Sequence, residues 1–297
     1  MKKLVWIFPV LSGIFWGSVG VFVRYLKAME MDSFTIVESR VVVAVAILAI
    51  WLLIYDRKLF RIRVKDLWIF CAASLFGMFG INLAYNEAIN RISLSMAAVL
   101  LSLSPVYVLI MAAMFFGEKV TKKKLLCVIL AVSGCVLVSG VFEQSAGMRL
   151  DSLGILLGAI AGFCYALYSI FSKIAMEREY HGFTITFYCL LVIAVTLIPL
   201  TDWNQITTFV CERPLQHGSF VLVHALITSA LPYILYTVSI QYMEAGKASI
   251  LAAGEPVAAM IMGVVFFDEK PTIFALLGLA VTLVALTVLS LPERGKE

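Results

Sequence analysis

Residues 104–121, SPVYVLIMAAMFFGEKVT, and residues 255–272, EPVAAMIMGVVFFDEKPT, carry one pattern twice, 151 positions apart. Each is a proline-led apolar stretch that closes on Phe-Phe-x-Glu-Lys-x-Thr. Extended outward at the same offset, 85–139 aligns with 236–290 without a gap and shares 16 of 55 positions, Tyr85/Tyr236 and Pro105/Pro256 among them. Leu and Val coincide by chance in any chain this apolar. A shared proline and a shared FFxEKxT are much harder to dismiss. An offset of 149 relates the earlier segments, setting Trp16 on Tyr165, Arg24 on Lys173 and Phe34-Thr35 on Phe183-Thr184. The chain therefore divides into two related halves, 1–145 and 146–297.

Composition says what solvent these halves were built for. Of 297 residues, 62% are hydrophobic and 14% charged, where ordinary soluble domains carry roughly 25% charged residues. A helix needs about 20 mostly apolar residues to cross the hydrocarbon core. Charge, Gly, Pro and Asn leave ten such runs: 4–26, 33–55, 67–89, 94–116, 124–142, 152–174, 182–200, 219–241, 248–267 and 272–291. The first, behind Lys2-Lys3, resembles a signal peptide, but it extends to Val23 with no A-x-A site before Arg24 and is read as a span. The expected fold is an all-α membrane protein of ten transmembrane helices in two five-helix repeats.

An odd number of spans per repeat forces the second half to enter the bilayer from the opposite side, and the charges agree. With the N-terminus inside, 16 of the 23 Lys and Arg fall in cytoplasmic segments and six in outer ones, with Arg40 inside the second run. The loop after the fourth run holds Lys119, Lys122, Lys123 and Lys124, whereas its mate after the ninth keeps only Lys270. The repeats are thus inverted, both termini are cytoplasmic, and the expected location is the inner (cell) membrane. Inverted repeats have two near-equivalent packings, one open to each side, about a central site.

The net charge of +4 is spread through short clusters between apolar runs, so no nucleic-acid partner is expected. The six cysteines include no CxxC pair and sit almost entirely in apolar segments, and no HExxH, GxSxG or P-loop is present. No metal site, no cofactor and no enzymatic activity are expected.

Several residues stand out against this apolar background. Glu255 lies within the ninth run beside Pro256, and a charge at mid-helix costs about 2.5–3.5 kcal/mol on insertion scales. It reads either as a substrate-amine or proton site facing a wet cavity, or as a carboxyl paired to a neighbouring helix. Arg40 reads equally as a clamp for a substrate carboxylate or as a cation that snorkels or pairs with Glu38. Pro105, Pro232 and Pro256 fall inside runs four, eight and nine, as hinges or cavity-lining breaks or as simple kinks. Trp16, Asn82, Tyr85, Ser102, Tyr165, Tyr168, Tyr233 and Tyr236 supply polar-tipped side chains for a central pocket, although for any single one of them ordinary helix packing is the better account. Gly13-xxx-Gly17 and Gly154-xxx-Gly158-xxx-Gly162 read as packing seams or a dimer face, which leaves a monomer or a weak homodimer.

Together these residues resemble the drug/metabolite transporter superfamily, in its ten-span EamA-type branch. The resemblance covers essentially the whole chain. It rests on Trp16-Gly17, Arg40, and the duplicated Pro-containing run that ends in Glu before a Gly-bearing run (Ser104-Pro105 through Glu118 to Gly134; Glu255-Pro256 through Glu269 to Gly278). It implies export of amino acids, related metabolites or drugs from a bacterial cytoplasm. This chain departs from the pattern at Ser104, where Glu is frequent, and at Asp268, where Gly is usual. The first departure leaves one carboxylate near the midplane and argues against a symmetric two-glutamate mechanism. The expected function is a secondary active exporter working by alternating access. Its partners would be a small solute, the lipid bilayer and, as a candidate coupling ion, the proton. A passive channel or facilitator and a non-transporting scaffold are the alternatives.

Overall fold

In the computed structural model, residues 5–92, 97, 100–138, 151–268 and 271–290 are described, and among them every regular element is helical. Among the described residues seven helical stretches are long and apolar enough to cross a membrane: Ile7–Lys27, Ser33–Tyr55, Val64–Ala88, Ser152–Glu177, Gly182–Leu200, Pro214–Tyr242 and Ala245–Phe267. Runs four, five and ten carry the shorter helices Ser104–Phe116, Lys122–Val138 and Ile273–Ser290. Part of run four, the junction between the halves at 145/146, Glu269-Lys270 and both termini lie outside the described residues.

The duplication is legible in the backbone even where the sequences have diverged. Helix Ser33–Tyr55 starts on Asp32, whose Oδ1 accepts from the Phe34 and Thr35 amides at 2.9 and 3.1 Å. At the offset of 149, helix Gly182–Leu197 starts on His181, whose Nδ1 accepts from the Phe183 amide at 3.3 Å. Each cap satisfies amide donors that the first helical turn leaves free. Just upstream, Glu30 and Glu179 both turn left-handed, with φ of 61° and 69°. At the offset of 151, helices Ser104–Phe116 and Glu255–Phe267 both end on a left-handed residue, Gly117 at φ 64° and Asp268 at φ 52°. The strain an L-residue bears there falls on Asp268 alone. Run three contains a π-helical stretch, Ala73–Phe79, and run eight contains its counterpart, Leu226–Ala230.

Packing exchanges partners in the same way. The helix of run one packs against runs eight and nine, and that of run six against runs three and four. Runs two and seven pack together, as do runs five and ten. Each contact maps onto itself or its mate when the halves are swapped. The glycines read as seams sit in these contacts. A Cβ on Gly13 would stand 2.5 Å from the Ala252 carbonyl oxygen, and one on Gly162 would stand 3.0 Å from that of Leu100. They serve close approach of helices within this chain.

The polar connection 201–218, between runs seven and eight, contains helix Trp203–Glu212 and the first turn of Pro214–Ala225. Asp202 starts the former, its Oδ1 accepting from the Asn204 amide at 3.0 Å. Of the prolines read as hinges, cavity-lining breaks or simple kinks, Pro105 and Pro256 each follow a break and lie in the first turn of a new helix, whereas Pro232 sits inside the continuous stretch Pro214–Tyr242, just past the π-helical Leu226–Ala230. At Pro105 and Pro256 the ring removes an amide that has no intrahelical partner in any case.

At the end that holds the basic loops, Asp66 ties the halves together. It is fully buried and accepts from Tyr180 Oη at 2.8 Å, from Arg63 Nε at 3.1 Å and from Arg178. Asp66→Ala leaves the Tyr180 hydroxyl and two guanidinium groups without their acceptor. The expected result is a melting midpoint several degrees lower in detergent, read by tryptophan fluorescence. An unchanged midpoint would show that the cluster adds no stability.

Candidate functional site

The chain breaks helix at 253–254, between Ala245–Ala252 and Glu255–Phe267, and at the equivalent turn 102–103 before Ser104. These breaks turn Glu255 and Ser104 into the first residues of new helices deep in the bundle. Glu255 is therefore not seven residues along an unbroken span, as its sequence position suggests. It stands at a helix N-terminus, where the macrodipole favours an anion.

A cavity of about 650 Å³ opens beside these breaks. It runs from the exposed Arg24, Lys27 and Phe267 inward past Ser33, Val37 and Arg40 to Trp16, Tyr165, Asn82, Tyr85, Ser102 and Glu255. Of the ten residues singled out for a central pocket, seven line it: Trp16, Arg40, Asn82, Tyr85, Ser102, Tyr165 and Glu255. Pro105 and Pro256 also line it.

Tyr168, Tyr233 and Tyr236 do not line the cavity. They form the layer behind it. Tyr236 bonds its hydroxyl to Ser169 Oγ at 2.7 Å, and Tyr168 bonds its own to Thr237 Oγ1 at 2.8 Å. The indole of Trp16 meets Tyr233, Tyr236 and Tyr165 at ring-centroid distances of 5.2, 5.5 and 5.8 Å. Tilted and edge-on aromatic contacts of this kind hold a large side chain in one orientation. Pro232 is likewise in the supporting layer, its carbonyl accepting from Ser12 Oγ at 2.8 Å.

Arg40 neither snorkels nor pairs with Glu38. It is buried, its Nη1 donates to the Thr228 carbonyl at 3.3 Å, and both carboxylate oxygens of Glu38 are buried without a protein partner. Helix geometry gives the reason. Ser33, Ile36, Val37 and Arg40 share the cavity-lining face of helix Ser33–Tyr55, while position 38 points well away from it. The Nε of Arg40 and the Nε1 of Trp16 have no partner among the described residues. The cavity thus presents two buried donors, one carboxyl group and a cationic mouth, and can hold a solute bearing acceptors. Sequence reading missed Ser33, Asn86, Ser249 and the mouth cations. Arg24 and Lys27 read there only as orientation charges.

The fold and this cavity define a multi-pass helical membrane protein with an internal solute-sized space. The chain belongs to the EamA-like transporter family, which it matches twice, over residues 3–140 and 152–291. That bears out the resemblance carried by its motifs, and the family is one of transporters. An uncharacterized transporter of Archaeoglobus fulgidus is 26% identical over 288 residues, covering 97% of this chain and 98% of that one. The pseudopaline exporter CntI of Pseudomonas aeruginosa is 24% identical over 214 residues, 71% of this chain and 71% of its own. A solved crystal structure with 14% sequence identity superposes with a TM-score of 0.75, covering 97% of this chain and 95% of that one, and attests the fold.

Proposed function

We propose that the chain is a secondary active carrier that exports small metabolites, with two inverted five-helix halves, 1–145 and 146–297, rocking about the cavity at Glu255. The observation that carries this reading is a solute-sized cavity at paired helix breaks. Broken helices in corresponding positions of two repeats are how carriers expose polar groups at the membrane midplane. The exchange of packing partners between the halves supports two near-equivalent states. A relative that exports pseudopaline supports a metabolite substrate and the outward direction. Glu255 is the group through which a proton would couple, provided it titrates near physiological pH.

The test is flux in inside-out vesicles against radiolabelled amino acids, nucleobases and organic cations, with and without a pH gradient. A carrier saturates and shows counterflow, and a proton-coupled one follows the gradient. Linear, unsaturable flux would support a channel, and no flux for any solute would support a scaffold. Topology is checked in the same membranes with single cysteines at Lys122 and Asp268, which label from opposite faces if the halves are inverted. Labelling of both from one face would end the inverted-repeat reading.

A further inference from the structure

We propose that Glu118 is the latch that holds the cavity shut toward the face bearing Lys119 and Lys122, so that its release lets the cavity change sides. The proposal rests on the cavity being the solute path. The stretch Ala245–Phe267 is long enough to cross the membrane, and its two ends are treated differently. Phe267 sits at the open mouth, with the Arg24 guanidinium 4.6 Å above its ring. Ala245, at the far end, is held by Glu118. There Oε1 accepts from the Ala245 amide at 2.7 Å and Oε2 from the Gly246 amide at 3.2 Å.

This contact joins the halves, since Glu118 follows run four and Ala245 begins the helical stretch that carries run nine. The carboxylate side chain is only 6% exposed. It faces the positive end of helix Ala245–Ala252, where an anion is stabilised both by the dipole and by amides that lack helical partners. Lys124, itself buried, stands 4.0 Å from Glu118 Oε2, pairs with Glu244 and donates to the Lys119 carbonyl at 3.0 Å. The packing is tight, for a Cβ on Gly246 would meet Leu109 Cδ1 at 3.1 Å and Glu118 Oε2 at 3.3 Å. The cavity lining reaches Ser249 on run nine and includes no residue of 239–248 or 106–124. The latched turn is therefore the plug between the cavity and this face.

A latch of this composition is reversible. Water can replace Glu118 on the two amides, and the amides on Glu118, so opening exchanges hydrogen bonds instead of abandoning them. A covalent bond or a buried apolar plug would lack that property.

The experiment places a reporter cysteine at Ala253, which lines the cavity, and measures its labelling by an impermeant maleimide from each face, with the native thiols subtracted using the parent chain. With Glu118 intact, labelling comes from the Arg24 face. When the minor orientation is populated at a few per cent, Glu118→Ala is expected to speed labelling from the Lys119 face about tenfold, and Glu118→Gln, which keeps one acceptor, by less. One-sided labelling that ignores both substitutions would overturn the latch while leaving the cavity reading intact. Equal labelling from both faces in the parent would overturn the cavity reading itself. If Glu118→Ala is not produced in folded form, the pair Glu118→Cys with Gly246→Cys decides. A short thiol cross-link there should stop flux and reduction should restore it, whereas full flux in the cross-linked protein would refute the latch.

Discussion

Replacing Glu255 by glutamine brings solute flux in proteoliposomes down to that of protein-free liposomes, while the protein is still made and extracted in normal amount. Glutamine matches the carboxylate in shape and keeps an acceptor oxygen, so the walls of the cavity are preserved. It removes the negative charge and the capacity to take up and release a proton. Stability should hold or improve, because a charged residue at mid-membrane costs about 2.5–3.5 kcal/mol and the amide escapes that cost. Loss of flux in a well-folded variant would then be a loss of function. Saturable flux at the parental rate would remove Glu255 from the mechanism and return the site to Arg40 and the aromatic wall.

The second large effect is on assembly. Gly17 lies where the helix of run one crosses that of run nine. A Cβ there would stand 2.6 Å from Ala258 Cβ, 2.6 Å from the Glu255 carbonyl oxygen and 2.8 Å from the Ala259 amide nitrogen. Two of those three atoms are backbone and cannot swing aside. Alanine in place of a helical glycine gains about 1 kcal/mol in propensity. Overpacking against backbone belongs at or above the top of the usual range of about 1–3 kcal/mol. The clash wins, and Gly17→Ala should lower the melting midpoint in detergent. Gly20, three residues on, has nothing within 4 Å of the corresponding position. There propensity acts alone, and Gly20→Ala should hold or raise the midpoint. Equal midpoints for the two variants would mean that this crossing does not limit stability.

What could be read in advance, and what could not, follows from the solvent. Runs of apolar residues between charges locate helices in lipid because a polar backbone has no other partner there. Among the described residues each run accordingly carries helix. The breaks at 102–103 and 253–254 were legible only as one reading of their prolines, since a proline in the first turn of a new helix and a proline inside a kinked one leave the same hydropathy trace. Tyr168, Tyr233 and Tyr236 could not be told apart from Tyr85 and Tyr165 for a related reason. When lipid, neighbouring helix and cavity wall all accept aromatic side chains, periodicity does not reveal which of them a given face meets. Glu118 was legible as part of the duplicated FFxEKxT, beside the basic loop that orients the chain, but not as a contact. Its partners are amides more than a hundred positions away, and no spacing rule connects them. Helix Trp203–Glu212 did carry a signal, an Asp ahead of a short mixed stretch, which the polar composition of 201–218 masked.

The widened coil at Ala73–Phe79 has a consequence for inheritance. A stretch bonded i to i+5 holds one residue more than the regular coil around it, and each residue of a regular helix turns the chain by about 100°. Asn82 and Tyr85, just beyond that stretch, thus owe their aim into the cavity to a single surplus position. A one-codon deletion there would restore an unbroken ladder and swing both side chains off the wall. An indel in a seemingly featureless membrane helix can thus reshape the cavity without touching any residue that lines it.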